Sequence, residues 1–177
     1  MKDDLIRLVK ELALTVAPPG RPFKLRSGAT SPYYLDCRKL TLSRRGLREV
    51  LSCLSTVLPP SAIVGGPCVG ADPVVGGALA LGLAERGFLV RPEAKGHGLG
   101  GRIVGDLRPG DRVVLIDDVA TLGGSLLDAV QAVRAAGAEV ALALAIVDRL
   151  AGADALLNAH GVPFRPLLTV EDLGVTP

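Results

Sequence analysis

Leu5, Leu8, Val9, Leu12 and Val16 recur at helical spacing, and Ala17-Pro18-Pro19-Gly20 stops that helix. Over 21–38 the period is lost. This stretch reads as irregular or hairpin-like, with turn chemistry at Arg26-Ser27-Gly28 and Thr30-Ser31-Pro32. A second amphipathic helix carries Leu47, Val50, Leu51, Leu54 and Val57 and ends at Pro59-Pro60. Beyond it, short apolar runs alternate with helices. Ala62-Ile63-Val64 predicts a strand, 72–86 a helix, Phe88-Leu89-Val90 a strand, and 112–116 and 140–147 two more. A helix from about 125 to 136, closed by Gly137, lies between the last two, and 164–169 predicts an edge strand. Strand and helix alternating at this rhythm imply right-handed crossovers. The expected fold is α/β, with a mostly parallel central sheet flanked by helices. Ligands of such sheets sit beyond the carboxyl ends of the strands.

The chain has 177 residues and shows no internal repeat or linker, so one domain over 1–177 is expected. Charged residues make up 21% and the net charge is +2, too little to imply a nucleic-acid partner. Aromatics at 3% and the absence of tryptophan argue against a platform for stacking single-stranded bases. The mean hydropathy of +0.41 raises the question of a membrane. The charge-free run 73–84 answers it, because it contains Gly76, Gly77, Gly82 and Pro73 and is far short of the ~20 residues that span a bilayer. Met1-Lys2-Asp3-Asp4 opens an amphipathic segment rather than a signal peptide. Cys37, Cys53 and Cys68 have no Cys-x-x-Cys pairing and only two histidines accompany them, which disfavours a zinc site or disulfide framework. They read as small buried thiols of a cytoplasmic protein.

The most informative stretch runs from Val113 to Ser125. Val113-Val114-Leu115-Ile116 end in Asp117-Asp118, and Val119-Ala120-Thr121-Leu122-Gly123-Gly124-Ser125 then leads into a helix. Backbone N–H groups and hydroxyls at a helix N-terminus make a phosphate cradle, and glycines let the ligand approach the backbone closely. Two carboxylates beside it are poor phosphate ligands. They suit the paired hydroxyls of a sugar or the shell of a magnesium ion. A phosphate flanked by hydroxyls and a metal describes a ribose 5-phosphate. The bland alternative is an ordinary strand–turn–helix whose acidic first turn stabilises the helix by ~0.3–1 kcal/mol.

This stretch resembles the phosphoribosyl pyrophosphate (PRPP) motif of type I phosphoribosyltransferases. Further blocks are similar to the orotate phosphoribosyltransferase family. Phe23 to Gly28 followed by Ser31-Pro32-Tyr33-Tyr34-Leu35-Asp36 resembles its N-terminal signature, Arg91 to Gly98 its catalytic loop, and Val147-Asp148-Arg149 its Asp-Arg after the next strand. The blocks occur in order from Phe23 to Asp172-Leu173-Gly174. The resemblance implies a hood, formed by about 1–40 plus the C-terminal segment, over the base site. It also implies transfer of ribose 5-phosphate from PRPP to N1 of orotate, giving orotidine 5′-monophosphate and pyrophosphate in pyrimidine biosynthesis.

Site residues follow from the same resemblance. Lys95, His97, Asp117 and Asp118 are the expected catalytic residues. PRPP is expected to meet these together with Arg26, Gly70, Arg91, Val119, Ala120, Thr121, Leu122, Gly123, Gly124 and Ser125, and orotate to meet Tyr34, Leu35, Thr121 and Arg149. Arg149 offers a planar fork for a carboxylate. Lys95 and His97, two residues apart on a glycine-heavy connection, can reach one target together. Magnesium is the expected cofactor, held mainly through PRPP with no direct protein ligand assigned. A homodimer that shares the Lys95–His97 loop across subunits is implied, with no nucleic-acid or membrane partner. Many family members carry Lys where this chain has Pro92, and Tyr-Lys where it has Val69-Gly70. These departures leave a second reading, a regulator of the same fold that binds PRPP or a nucleotide without turnover. Structural alternatives at the base site are an Asp148–Arg149 ion pair and Tyr34 as a core aromatic.

Overall fold

A computed structural model describes residues 1–24, 30–92 and 101–176. Helix α1 (Lys2–Leu12) buries Leu5, Leu8 and Val9, with Asp3 and Asp4 in its first turn and Lys10 in its last, each on the side its dipole favours. The chain then turns extended earlier than its period suggests. Val16 belongs to β1 (Leu14–Val16), not to the helix. After β2 (Phe23–Lys24) and β3 (Thr30–Ser31), which pair antiparallel, β4 (Tyr33–Leu35) pairs with β1 and sets Val16 opposite Tyr33. That strand pairing outweighs the helical spacing, because Leu14 to Val16 gain a ladder with β4.

Asp36 caps the short helix α2 (Cys37–Thr41) by accepting from the Arg38 N–H at 3.3 Å. Ser43 caps α3 (Arg44–Leu54) by accepting from the Gly46 N–H at 3.0 Å. The helix ends at Leu54, so Val57 packs on the core from the following turns. Next come β5 (Ala62–Pro67) and α4 (Asp72–Ala80). The helix expected to reach residue 86 stops six residues sooner. Leu83 N–H bonds back to the Ala78 carbonyl at 2.9 Å around Gly82, whose φ is +68°, and Ala84 already pairs with Ala62.

The remaining elements are β6 (Ala84–Val90), β7 (Ile103–Gly105), β8 (Arg112–Ala120), α5 (Gly124–Ala135), β9 (Glu139–Asp148), α6 (Ala153–Ala159) and β10 (Phe164–Thr169). Neither β7 nor α6 was expected. The six-stranded sheet runs β10-β9-β8-β5-β6-β7, parallel throughout except for the β6–β7 pair. Alternate residues of β8 serve opposite faces. Val114 and Ile116 join the core under α1, α3 and α4, while Val113 and Leu115 join the core with Leu126, Val130 and Leu157 of α5 and α6. A mostly parallel sheet flanked by helices is therefore the fold. Among the described residues no helix is long and apolar enough to cross a membrane.

Candidate active site

From β5 the chain crosses to β6 on one side of the sheet, whereas from β8 it proceeds to β9 and β10 on the other. The loops after β5 and β8 therefore diverge, and the crevice between them is the position where open α/β sheets bind ligands. A cleft of about 540 Å³ lies there, with Pro67 to Gly70 on one wall, Leu35, Asp36 and Arg38 on another, and Asp117 and Asp118 between them. A second cavity of about 180 Å³ follows the chain from Val119 to Leu126 and shares Asp117, Val119 and Ser125 with the first. The two form one continuous site.

β8 does not end at the acids. It continues through them to Ala120, because β9 runs beside it that far, with Asp117 opposite Ala145 and Ala120 opposite Asp148. Asp117 is 7% exposed. Its Oδ1 accepts from the Asp118 N–H at 2.8 Å, and Asp118 Oδ1 accepts from the Val119 N–H at 2.8 Å, which fixes both carboxylates. Burial, and then the neighbouring Asp118 charge, push the Asp117 pKa up to about 8. Burial also raises that of Asp118, with the Arg38 guanidinium among the groups opposing the rise. Two crowded carboxylates that favour protonation are well placed to gain from hydroxyl donors or a divalent cation. Gly70 closes over them: a methyl group there would lie 2.6 Å from Asp118 Oδ1 and 2.7 Å from Asp117 Oδ1, so only a residue without a side chain leaves the acids accessible.

The second cavity lies along the turn where the sequence places the expected cradle. Gly123 has φ +80° and starts α5, whose first N–H groups have no partner within the helix. Thr121, Leu122, Gly124 and Ser125 are exposed around it. Arg91 is half-buried at the end of β6, pairing its backbone with Arg102, and its positive charge acts on the thiol of Cys68, a cleft residue. Arg102 in turn is ion-paired to Asp128 of α5.

On the base side the structure separates residues that the sequence grouped. Leu35 lines the cleft and Thr121 the cradle, but Tyr34 and Arg149 line neither cavity. Tyr34 is 44% exposed, its ring 6.0 Å from that of Phe23, so it is not a core aromatic; Tyr33, 1% exposed, is. Arg149 lies next to the cradle, its N–H bonded to the Ala120 carbonyl at 2.8 Å. It makes no ion pair with Asp148, which accepts from the Leu150 N–H at 3.0 Å instead. Arg26, Lys95 and His97 lie outside the described residues. Sequence reading missed Arg38 and Asp36, whose side chains pair at 2.8 Å in the cleft wall. Their signal was an acidic cap followed two residues later by Arg, directly after a strand that reaches the site.

The described cleft thus presents the carboxylates of Asp36, Asp117 and Asp118 against the one guanidinium of Arg38. Once the acid pair is ionised, a polyphosphate is repelled by such a lining unless a cation accompanies it. Carboxylate oxygens are the hard donors that magnesium prefers, so the residues fit that ion. Among the described residues, no group of three or more His, Cys, Asp or Glu side chains is arranged to hold a metal. The fit is therefore to an ion sharing its shell with ligand oxygens and water.

No protein-family model matches the chain. The chain is 42% identical over 169 residues to the orotate phosphoribosyltransferase of Rhodopirellula baltica, covering 88% of this chain and 86% of the relative. It is 40% identical over 175 residues to that of Corynebacterium glutamicum, covering 97% and 93%. The crystal structure of Mycobacterium tuberculosis orotate phosphoribosyltransferase in complex with PRPP superposes with a TM-score of 0.79 at 32% identity, covering 98% of this chain and 99% of that one. The strand order, the divided crevice and these likenesses agree: the chain belongs to the orotate phosphoribosyltransferase family.

Proposed function

We propose that this chain transfers the 5-phosphoribosyl group of PRPP to N1 of orotate, forming orotidine 5′-monophosphate and pyrophosphate on the route to UMP. The observation that carries this reading is the continuous site in which an amide-lined cradle and a buried acid pair share Asp117, Val119 and Ser125. The cradle from Val119 to Ser125 takes the 5′-phosphate at the start of α5. Asp117 and Asp118 accept from the ribose diol, and the backbone at Gly70 faces the pyrophosphate. Arg149 takes the orotate carboxylate, with Tyr34, Leu35 and Thr121 bounding the ring.

In the reaction, N1 of orotate gives up its proton, to the departing pyrophosphate or to water, and attacks the anomeric carbon as that carbon's bond to the pyrophosphate oxygen breaks, with inversion. No covalent enzyme intermediate is needed, and rate comes from positioning and from charge stabilisation. Arg91, Lys95 and His97 stabilise the negative charge that grows on the leaving group. Magnesium, when bound with PRPP, supplies further neutralisation of that charge. Excluding water from the site protects the cationic sugar centre from hydrolysis.

Two further proposals complete the reading. The protein works as a homodimer in which the segment bearing Lys95 and His97 serves the neighbouring subunit's site. It resides in the cytoplasm, a location supported by its three free cysteines. The deciding experiment mixes purified protein, Mg²⁺, PRPP and orotate and follows the loss of orotate ultraviolet absorbance. Consumption is expected. Measurable PRPP binding without consumption would overturn catalysis in favour of a regulator.

A further inference from the structure

Arg149 is held by neutral groups. Its Nε donates to the Tyr33 hydroxyl at 3.1 Å and its Nη2 to the Ser31 hydroxyl at 3.3 Å. The guanidinium carbon lies 4.8 Å from the Tyr33 ring centroid, within cation–π range. No ion pair involves Arg149 among the described residues. The two acceptors are themselves fixed. Ser31 and Tyr33 are 4% and 1% exposed, the Ser31 hydroxyl donates to the Tyr33 carbonyl at 2.7 Å and accepts from the Tyr33 N–H at 3.3 Å, and β4 is paired to β1.

This arrangement has a chemical consequence. Nε and Nη2 share one edge of the guanidinium plane, and both of their acceptors are uncharged. An acidic partner would cancel the charge of the guanidinium, whereas hydroxyls orient it and leave the charge unspent. The edge formed by Nη1 and the second Nη2 proton makes no hydrogen bond or ion pair among the described residues, and that edge matches a planar carboxylate. The Tyr33 hydroxyl, having accepted from Nε, keeps its own proton to donate.

We infer that Tyr33 and Ser31 are positioning residues that occupy one edge of Arg149 and commit its opposite edge to the carboxylate of the acceptor base. This rests on the role proposed above for Arg149 and adds the device that selects an acidic pyrimidine over a neutral one. The hydroxyls come from the N-terminal strands and the guanidinium from the turn after β9, so base selection is built across two parts of the fold.

The test compares Tyr33→Phe, Ser31→Ala and Arg149→Ala by steady-state kinetics with orotate, by inhibition with uracil, which lacks the carboxylate, and by calorimetric titration with PRPP and Mg²⁺. Tyr33→Phe should raise the orotate KM about tenfold, near the lower end for one hydrogen bond to a charged group, and Ser31→Ala about threefold because its bond is longer at 3.3 Å, each exceeding any change in kcat. Uracil inhibition and PRPP affinity should not move. A merely structural loosening would shift orotate and uracil together, and that result overturns the inference. So does an unchanged orotate KM in both hydroxyl variants when Arg149→Ala raises it. If Arg149→Ala itself leaves the orotate KM unchanged, the proposed role of Arg149 is what fails. Should Tyr33→Phe unfold, Ser31→Ala alone decides between these outcomes.

Discussion

Raising the pH should loosen the unliganded protein, and the size of the effect follows from Asp117. Its carboxyl is buried beside Asp118, with its pKa pushed up to about 8 from an ordinary 3.8. Between those values the folded chain keeps a proton that the unfolded chain has released. Stability therefore falls as pH rises through this window, and the fall levels off above the folded value. One extra bound proton changes stability by about 1.4 kcal/mol per pH unit, and flattening near the folded value leaves a loss of about 2 kcal/mol between pH 6 and 8. For a chain of this length that is a drop of about 4–8 °C in Tm. Thermal unfolding followed by circular dichroism, without PRPP or Mg²⁺, measures it. Asp117→Asn removes the titrating group and should lose at least about half of the slope. Mg²⁺ with PRPP should flatten the wild-type slope too, since hydroxyls and cations favour the ionised pair. A wild-type Tm that stays level from pH 6 to 8, or equal slopes in wild type and Asp117→Asn, refutes the reasoning.

Other expectations address the rest of the site. Gly70→Ala puts a methyl group 2.6 Å from Asp118 Oδ1 and should weaken PRPP binding by at least about tenfold in calorimetric titration; unchanged affinity would remove the turn after β5 from the site. Arg149→Ala should raise the orotate KM about ten- to a hundredfold while sparing PRPP affinity, and equal loss of both would count against a carboxylate contact. Lys95→Ala should lower turnover far more than it weakens orotate binding; an unaltered kcat would take this side chain out of leaving-group stabilisation.

Much of this molecule is legible in its amino acids, because buried parallel strands announce themselves as apolar runs. The run Val113 to Ile116 and its acids led directly to the cleft, and Gly123 to the cradle. What the pattern hid was decided by partners distant in sequence. β8 outruns its apolar residues because β9 keeps pairing beside Asp117 to Ala120. Ala84 to Arg86 fit a helix by propensity yet become strand because Ala62 and Ile63 offer a ladder. Strand β7, three residues long, is too short to show a period and exists by pairing with Phe88 to Val90. Arg38 and Tyr33 were invisible as site residues for the same reason: one reaches the cleft from a five-residue helix, and the other meets Arg149 across 116 positions of chain.

That last separation bears on the order in which the protein assembles. The sheet pairs strands no more than about 50 residues apart, as at Val64 and Val114, whereas the hydroxyl-to-guanidinium bridge closes loops of 116 and 118 residues, among the costliest contacts to form early. A half-folded molecule would then grip the sugar phosphate before it could tell one nucleobase from another, so discrimination between bases would be the last property acquired during folding and the first lost when the N-terminal strands detach.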